Sequence, residues 1–185
     1  MGVALALILL VLIALWLTRG RSPPPATQQA ESRRIVVLPF ENLGPAEDEY
    51  FADGMTEEIT SRLASVPALQ VISRTTAMQY KSHRPALSEI GDELGVAYAL
   101  EGTVRWAQGA DGVSRVRITP QLIRVADDTH LWSQSYDRVL DDIFLVQSEL
   151  AKQVLEQLDI TLSGSQQDLV EAQPTENLDA YQAYL

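Results

Sequence analysis

The sequence predicts an α/β fold of the α+β kind: a small mixed sheet with helices packed on it. Its N-terminal part reads as a parallel strand-helix-strand unit and its C-terminal part as an antiparallel three-strand meander. Three observations predict this. From Leu87 to Gly95 the apolar residues Leu87, Ile90 and Leu94 recur at helical steps, and from Tyr98 to Trp106 they alternate as in a half-buried strand. Upstream, an apolar run at Arg34 to Asn42, a four-residue apolar period at Tyr50 to Val66 and the short run Leu69 to Ser73 follow one another with short connections. Downstream, alternation resumes at Val113 to Val125 and at His130 to Tyr136.

Residues 1–18 carry no charged side chain and are apolar all round, reaching about 27 Å as a helix, enough to cross a bilayer. They are read as an uncleaved transmembrane helix. A secretory signal peptide is the competing reading, but a basic leading region and a nearby Ala-x-Ala site are missing. Residues 19–33, with three consecutive prolines, form a Pro-rich linker that holds the domain off the membrane.

The domain is expected over residues 34–160. RIVVLPFEN opens it as a strand buried on both faces and closed by Pro39. Phe51, Met55, Ile59 and Leu63 then line one side of an amphipathic helix ended by Pro67. After the second strand comes a helical turn at Thr75 to Tyr80, and Pro85 starts the next helix. Gly95 suits the left-handed position past that helix end. In the following hairpin, pairing Val104 with Ile118 and Leu100 with Leu122 keeps every apolar residue on one face. The same register sets Gly102 against Pro120, where a bulge or a locally unpaired edge is expected. Ile143, Val146, Gln147, Leu150, Val154 and Leu158 line a last helix from about Asp141 to Asp159. Residues 161–176 read as a second linker, and 177–185 as the first turns of a further, truncated helix.

Composition narrows the chemistry. The chain has no cysteine and two histidines, His83 and His130, which removes thiolate sites and makes a multi-histidine metal centre a poor fit. Of 25 acids only Glu31 precedes Ile35, and of 14 bases Arg19, Arg21, Arg33 and Arg34 do, so the folded part carries -14. Such a surface repels phosphate backbones, and nucleic-acid binding by this domain is not expected. The Leu43 to Glu49 loop lacks the glycines and lysine of a phosphate cradle. Asp48, Glu49, Asp53, Glu57 and Glu58 could supply an acid-base pair, although a solvated helix face accounts for them more simply. His130 beside Trp132 has no partner nucleophile in its strand. No catalytic, cofactor-binding or metal-binding residue is therefore assigned. On the outward sheet face Glu101, Thr103, Arg105 and Arg117 fall together. The two arginines are cross-strand neighbours that repel, so they suit an acidic partner, an anionic ligand or carboxylates supplied by a helix from within the domain.

In order and spacing, RIVVLPFENLG, EYFADGMTEEIT, LQVISRT, EIGDELGVAYALEGTVR, VRITPQLI, HLWSQSYDR and DDIFLVQSELA resemble the TolB amino-terminal-like domain of bacterial regulatory proteins. The match covers about Arg34 to Asp159. It departs from the usual pattern at Pro120 and at Asp127-Asp128. The resemblance implies a small α/β unit that follows a membrane span and precedes tetratricopeptide repeats, to whose start NLDAYQAYL is similar. It implies sensing or scaffolding without catalysis, in a membrane-anchored module whose partners are the bilayer, through residues 1–18, and another protein. The alternative is an accessory part of a larger adenylate or guanylate cyclase, serine/threonine kinase or winged-helix regulator. Catalysis by residues 34–159 themselves is a third reading. The implied place is the bacterial inner membrane, single-pass, with the domain outside the cytoplasm. Arg19 and Arg21 argue the opposite orientation by the positive-inside rule.

Overall fold

A computed structural model of the chain describes residues 33–108, 114–139 and 143–172. The expected span, most of the first linker, the Gly109 to Val113 turn, Asp141-Asp142 and the 177–185 segment lie outside the described residues. Among those described, no helix is long and apolar enough to cross a membrane.

Seven strands form one mixed sheet: β1 (Arg34–Val37), β2 (Glu41–Asn42), β3 (Gln70–Val71), β4 (Tyr98–Gln108), β5 (Ser114–Arg124), β6 (Thr129–Ser133) and β7 (Tyr136–Val139). The order is β3-β1-β4-β5-β6, with β2 also against β4 and β7 also against β5. β1 lies parallel to both β3 and β4, and the β4-β5-β6 part is antiparallel. Ile35, Val36 and Val37 are fully buried, as a strand covered on both faces requires.

Among the described residues five α-helices accompany the sheet: α1 (Glu49–Ala64), α2 (Arg74–Ala77), α3 (Leu87–Leu94), α4 (Ile143–Gln157) and α5 (Gly164–Glu171). One face packs against α1 and α4. Ile35, Leu100, Val104, Ile118 and Leu122 meet Phe51, Met55, Ile59 and Leu63 from α1 and Ile143, Val146, Leu150 and Val154 from α4. Each such aliphatic side chain contributes about 2 kcal/mol of burial. The second face is shorter: Val36, Leu38 and Ala99 pack under Ala77, Tyr80 and Ile90 from α2, the turn after it and α3. Among the described residues, helices cover only one end of that face.

The hairpin register is as read from the alternation, with Val104 opposite Ile118, Leu100 opposite Leu122 and Gly102 opposite Pro120. Gly95 ends α3 with φ +62°, the left-handed conformation that glycine adopts without a Cβ penalty.

Three expectations are corrected. Pro85 lies before α3, whose N-cap is Ala86, so the proline precedes the first turn. The strand expected over His130 to Tyr136 is two strands, broken at Gln134-Ser135. Of the two alternatives expected at Pro120, a bulge or an unpaired edge, the second is found, and a register shift sits between Leu122 and Ile123 in the pairing with β6. Pro120 does lie at an unpaired edge: β6 pairs from Gln121 onward and β7 up to Ile118, which leaves Thr119 and Pro120 without a strand on that side. Finally, the stretch read as polar linker contains α5. Ser163 and Gln166 form a capping box at its start, and Val170 is fully buried.

Candidate interaction surface

The helices α2 and α3 leave the far half of the second sheet face open. Alternation along β4 puts Ala99, Glu101, Thr103 and Arg105 on that face, and register brings Gln121, Thr119 and Arg117 of β5 beside them. The four residues singled out from the sequence therefore do share one face. β2 extends it with Glu41 beside Thr103, and β7 with Asp137 beside Arg117.

Three cross-strand rows result. In the first, Arg105 stands directly opposite Arg117, and Asp137 flanks Arg117. The Asp137 carboxylate accepts from Arg117 Nε at 2.7 Å and from Nη2 at 3.1 Å. This forked bond holds the Asp137 carboxyl below its ordinary range and raises the guanidinium of Arg117. Arg117 nevertheless remains 58% exposed, and among the described residues no ion pair reaches Arg105, which is also exposed. In the second row Thr103 faces Thr119, whose hydroxyl lies 3.2 Å from that of Ser135. In the third, Glu101 faces Gln121. Glu101 is the member least available, because Arg84 reaches over it at 4.0 Å while also donating to the Pro39 carbonyl.

Among the described residues the carboxylate that serves the arginine pair comes from a strand, Asp137 of β7, and not from the helix expected to supply it. Sequence reasoning missed Asp137 because β7 was read as the end of a single third strand. The same holds for Arg84, which arrives from a connecting loop with no pattern of its own.

The acidic cluster near α1 is mostly neutralised. Lys81 Nζ donates to both Asp53 oxygens at 2.6 Å and lies 2.9 Å from Glu49. Burial works against the Lys81 charge, but the bonds to Asp53 and Glu49 more than offset it, and its pKa is raised. Arg74 pairs with Glu57 at 3.4 Å, and Glu58 lies 3.9 Å from Arg62. Asp53, Glu49 and Glu57 thus fasten α2 and the loop after it to α1, while Glu58 and Arg62 pair within α1, and these structural tasks fit the simpler reading. Only Asp48 has no such pair among the described residues. His130 is exposed on β6. No group of three or more potential metal ligands occurs among the described residues.

No family model matches the chain. It is 38% identical over 169 residues to a Rhizobium meliloti (strain 1021) protein described as "Putative adenylate cyclase 3", a match that covers 88% of this chain and 28% of that protein. Among solved structures it is similar to the PelC dodecamer subunit from Paraburkholderia phytofirmans (TM-score 0.48, 23% identity, covering 72% of this chain and 91% of that one). It is similar also to lipoprotein GNA1162 from Neisseria meningitidis (TM-score 0.47, 16% identity, 71% and 99%). TolB from Acinetobacter baumannii is matched at TM-score 0.47 and 15% identity, over 68% of this chain and 28% of that one.

Proposed function

We propose that the chain is a membrane-anchored, non-catalytic sensor or protein-interaction module of a bacterial regulatory protein, coupling a span at residues 1–18 to a repeat region that begins near Asn177. The observation that carries this reading is the proportion of the cyclase-named relative that is matched: nearly all of this chain aligns, yet it spans only 28% of that protein. Most of that relative lies outside the match, which supports reading the aligned part as an accessory unit. The acid cluster supports the reading, since the carboxylates that could do acid-base chemistry are largely tied to Lys81, Arg74 and Arg62. In this reading the module sits at the inner membrane, single-pass, with the α/β domain outside the cytoplasm.

The same match favours a specific version, in which the chain is the accessory part of an adenylate cyclase. The size of the natural polypeptide, read with an antibody against residues 33–172 on membrane fractions, tests both. A band well above the 20.4 kDa of this sequence, carrying cyclic-AMP synthesis that this chain alone lacks, is expected. Cyclic-AMP synthesis by this chain alone, or a 20.4 kDa product found only in the soluble fraction, overturns the reading.

A further inference from the structure

The geometry points to a short acidic protein segment as the occupant of the open half-face built on Arg105 and Arg117. The inference rests on the module reading above and adds the chemistry of the partner. A sheet face turned to water is ordinarily tiled with opposite charges, because like charges directly opposite destabilise the pair. Here the register places arginine against arginine, and Asp137, the carboxylate beside them, engages Arg117. Among the described residues Arg105 has no ion partner. Two guanidiniums on adjacent strands, backed by the hydroxyls of Thr103 and Thr119, match the forked geometry of carboxylates on an extended chain.

Charge also selects the kind of anion. From Ile35 onward the chain carries a net -14, so the patch belongs to a chain that as a whole repels anions. A bilayer surface or a nucleic acid spreads its charge beyond the two arginines and meets that repulsion. A segment a few residues long places its charge over the patch alone. Asp137 then acts as the resident competitor for Arg117, released when the incoming carboxylate arrives.

The test uses the full 185-residue chain in phosphatidylcholine nanodiscs and a fluorescein-labelled hexaglutamate peptide as the probe, at low ionic strength. Saturable binding is expected, weakened about tenfold in R105Q/R117Q, as two exposed charge contacts together allow. D137N should tighten binding, because it removes the competitor, and K152Q on α4 should leave it unchanged. Absence of binding by the unaltered chain, equal binding by R105Q/R117Q, weaker binding by D137N, or preferential binding of phosphatidylglycerol vesicles or single-stranded DNA each overturns the inference. None of these outcomes bears on the size or the cyclase activity of the natural polypeptide, so the module reading fails or stands separately.

Discussion

The guanidinium of Arg62 donates from Nη1 to the backbone carbonyl of Val170, 108 residues away, at 2.6 Å, and to Ser148 Oγ at 3.1 Å. One buried arginine on α1 thus holds both α4 and the last turn of α5. Replacing it leaves the Val170 carbonyl without a donor, and hydrogen bonds to a charged group contribute about 1.5–3 kcal/mol each. Arg62→Leu is expected to lower unfolding stability by about 2–3 kcal/mol. Hydrogen exchange should show amides 164–171 losing protection while the β4-β5 ladder keeps it.

Glu58 lies beside that arginine, and burial raises its carboxyl pKa more than Arg62 lowers it. The fold therefore favours the protonated acid relative to the unfolded chain. That contribution is fully present below the ordinary carboxyl value of 4.5 and is lost as pH rises through the higher folded value. Glu58→Gln should flatten the fall in stability over this window, measured as urea midpoints from pH 4 to pH 7.

Gly102 and Phe40 are matched in shape. A Cβ at Gly102 would stand 2.4, 2.8 and 2.9 Å from three atoms of the Phe40 ring, which is itself 1% exposed. The ring cannot swing away, so Gly102→Ala should cost about 1–3 kcal/mol through overpacking. Thermal unfolding of Gly102→Ala alone and combined with Phe40→Leu checks this, with the second change recovering part of the loss.

Lys81 clamps the loop after α2 to Asp53 and Glu49. Lys81→Met leaves two carboxylates facing each other, and for a partly exposed clamp the expected loss is about 1 kcal/mol. The raised pKa of Lys81 means that the clamp's contribution is present below the unfolded lysine value and disappears as pH rises past 10.5 toward the folded one. Denaturation of the two proteins at pH 7 and pH 11 should differ more at the lower pH than at the higher.

The hairpin was legible because one-sided burial admits a single register: a slip by one residue would have exposed Val104, Ile118, Leu100 and Leu122 together. Gly95 was legible for a similar reason, since the change of period and the absence of a Cβ fall on the same residue. The division between β6 and β7 was only half legible. Pro120 announces a missing hydrogen bond, but that the neighbouring strand breaks opposite it depends on the bend at Gln134-Ser135. The helix α5 was missed because it buries one apolar residue, Val170, too few for a period to show. Its docking relies on Arg62, which on the α1 wheel looks like a solvated charge. Ser163 and Gln166, the capping pair, were the signal available in the sequence. On the open sheet face the arginine pair followed from register alone. Asp137 and Arg84 did not, because they reach it from a broken strand and from a loop.

The account stands on the open sheet face being where this module meets another protein. A photo-cross-linking amino acid at Thr103 of the natural polypeptide, in its own membranes, reports directly on what lies over that face, with Gln157 on α4 as the reference position. A discrete adduct at Thr103 that is lost in R105Q/R117Q, with none at Gln157, is the predicted result. No adduct at Thr103, or one that persists unchanged in R105Q/R117Q, would contradict it.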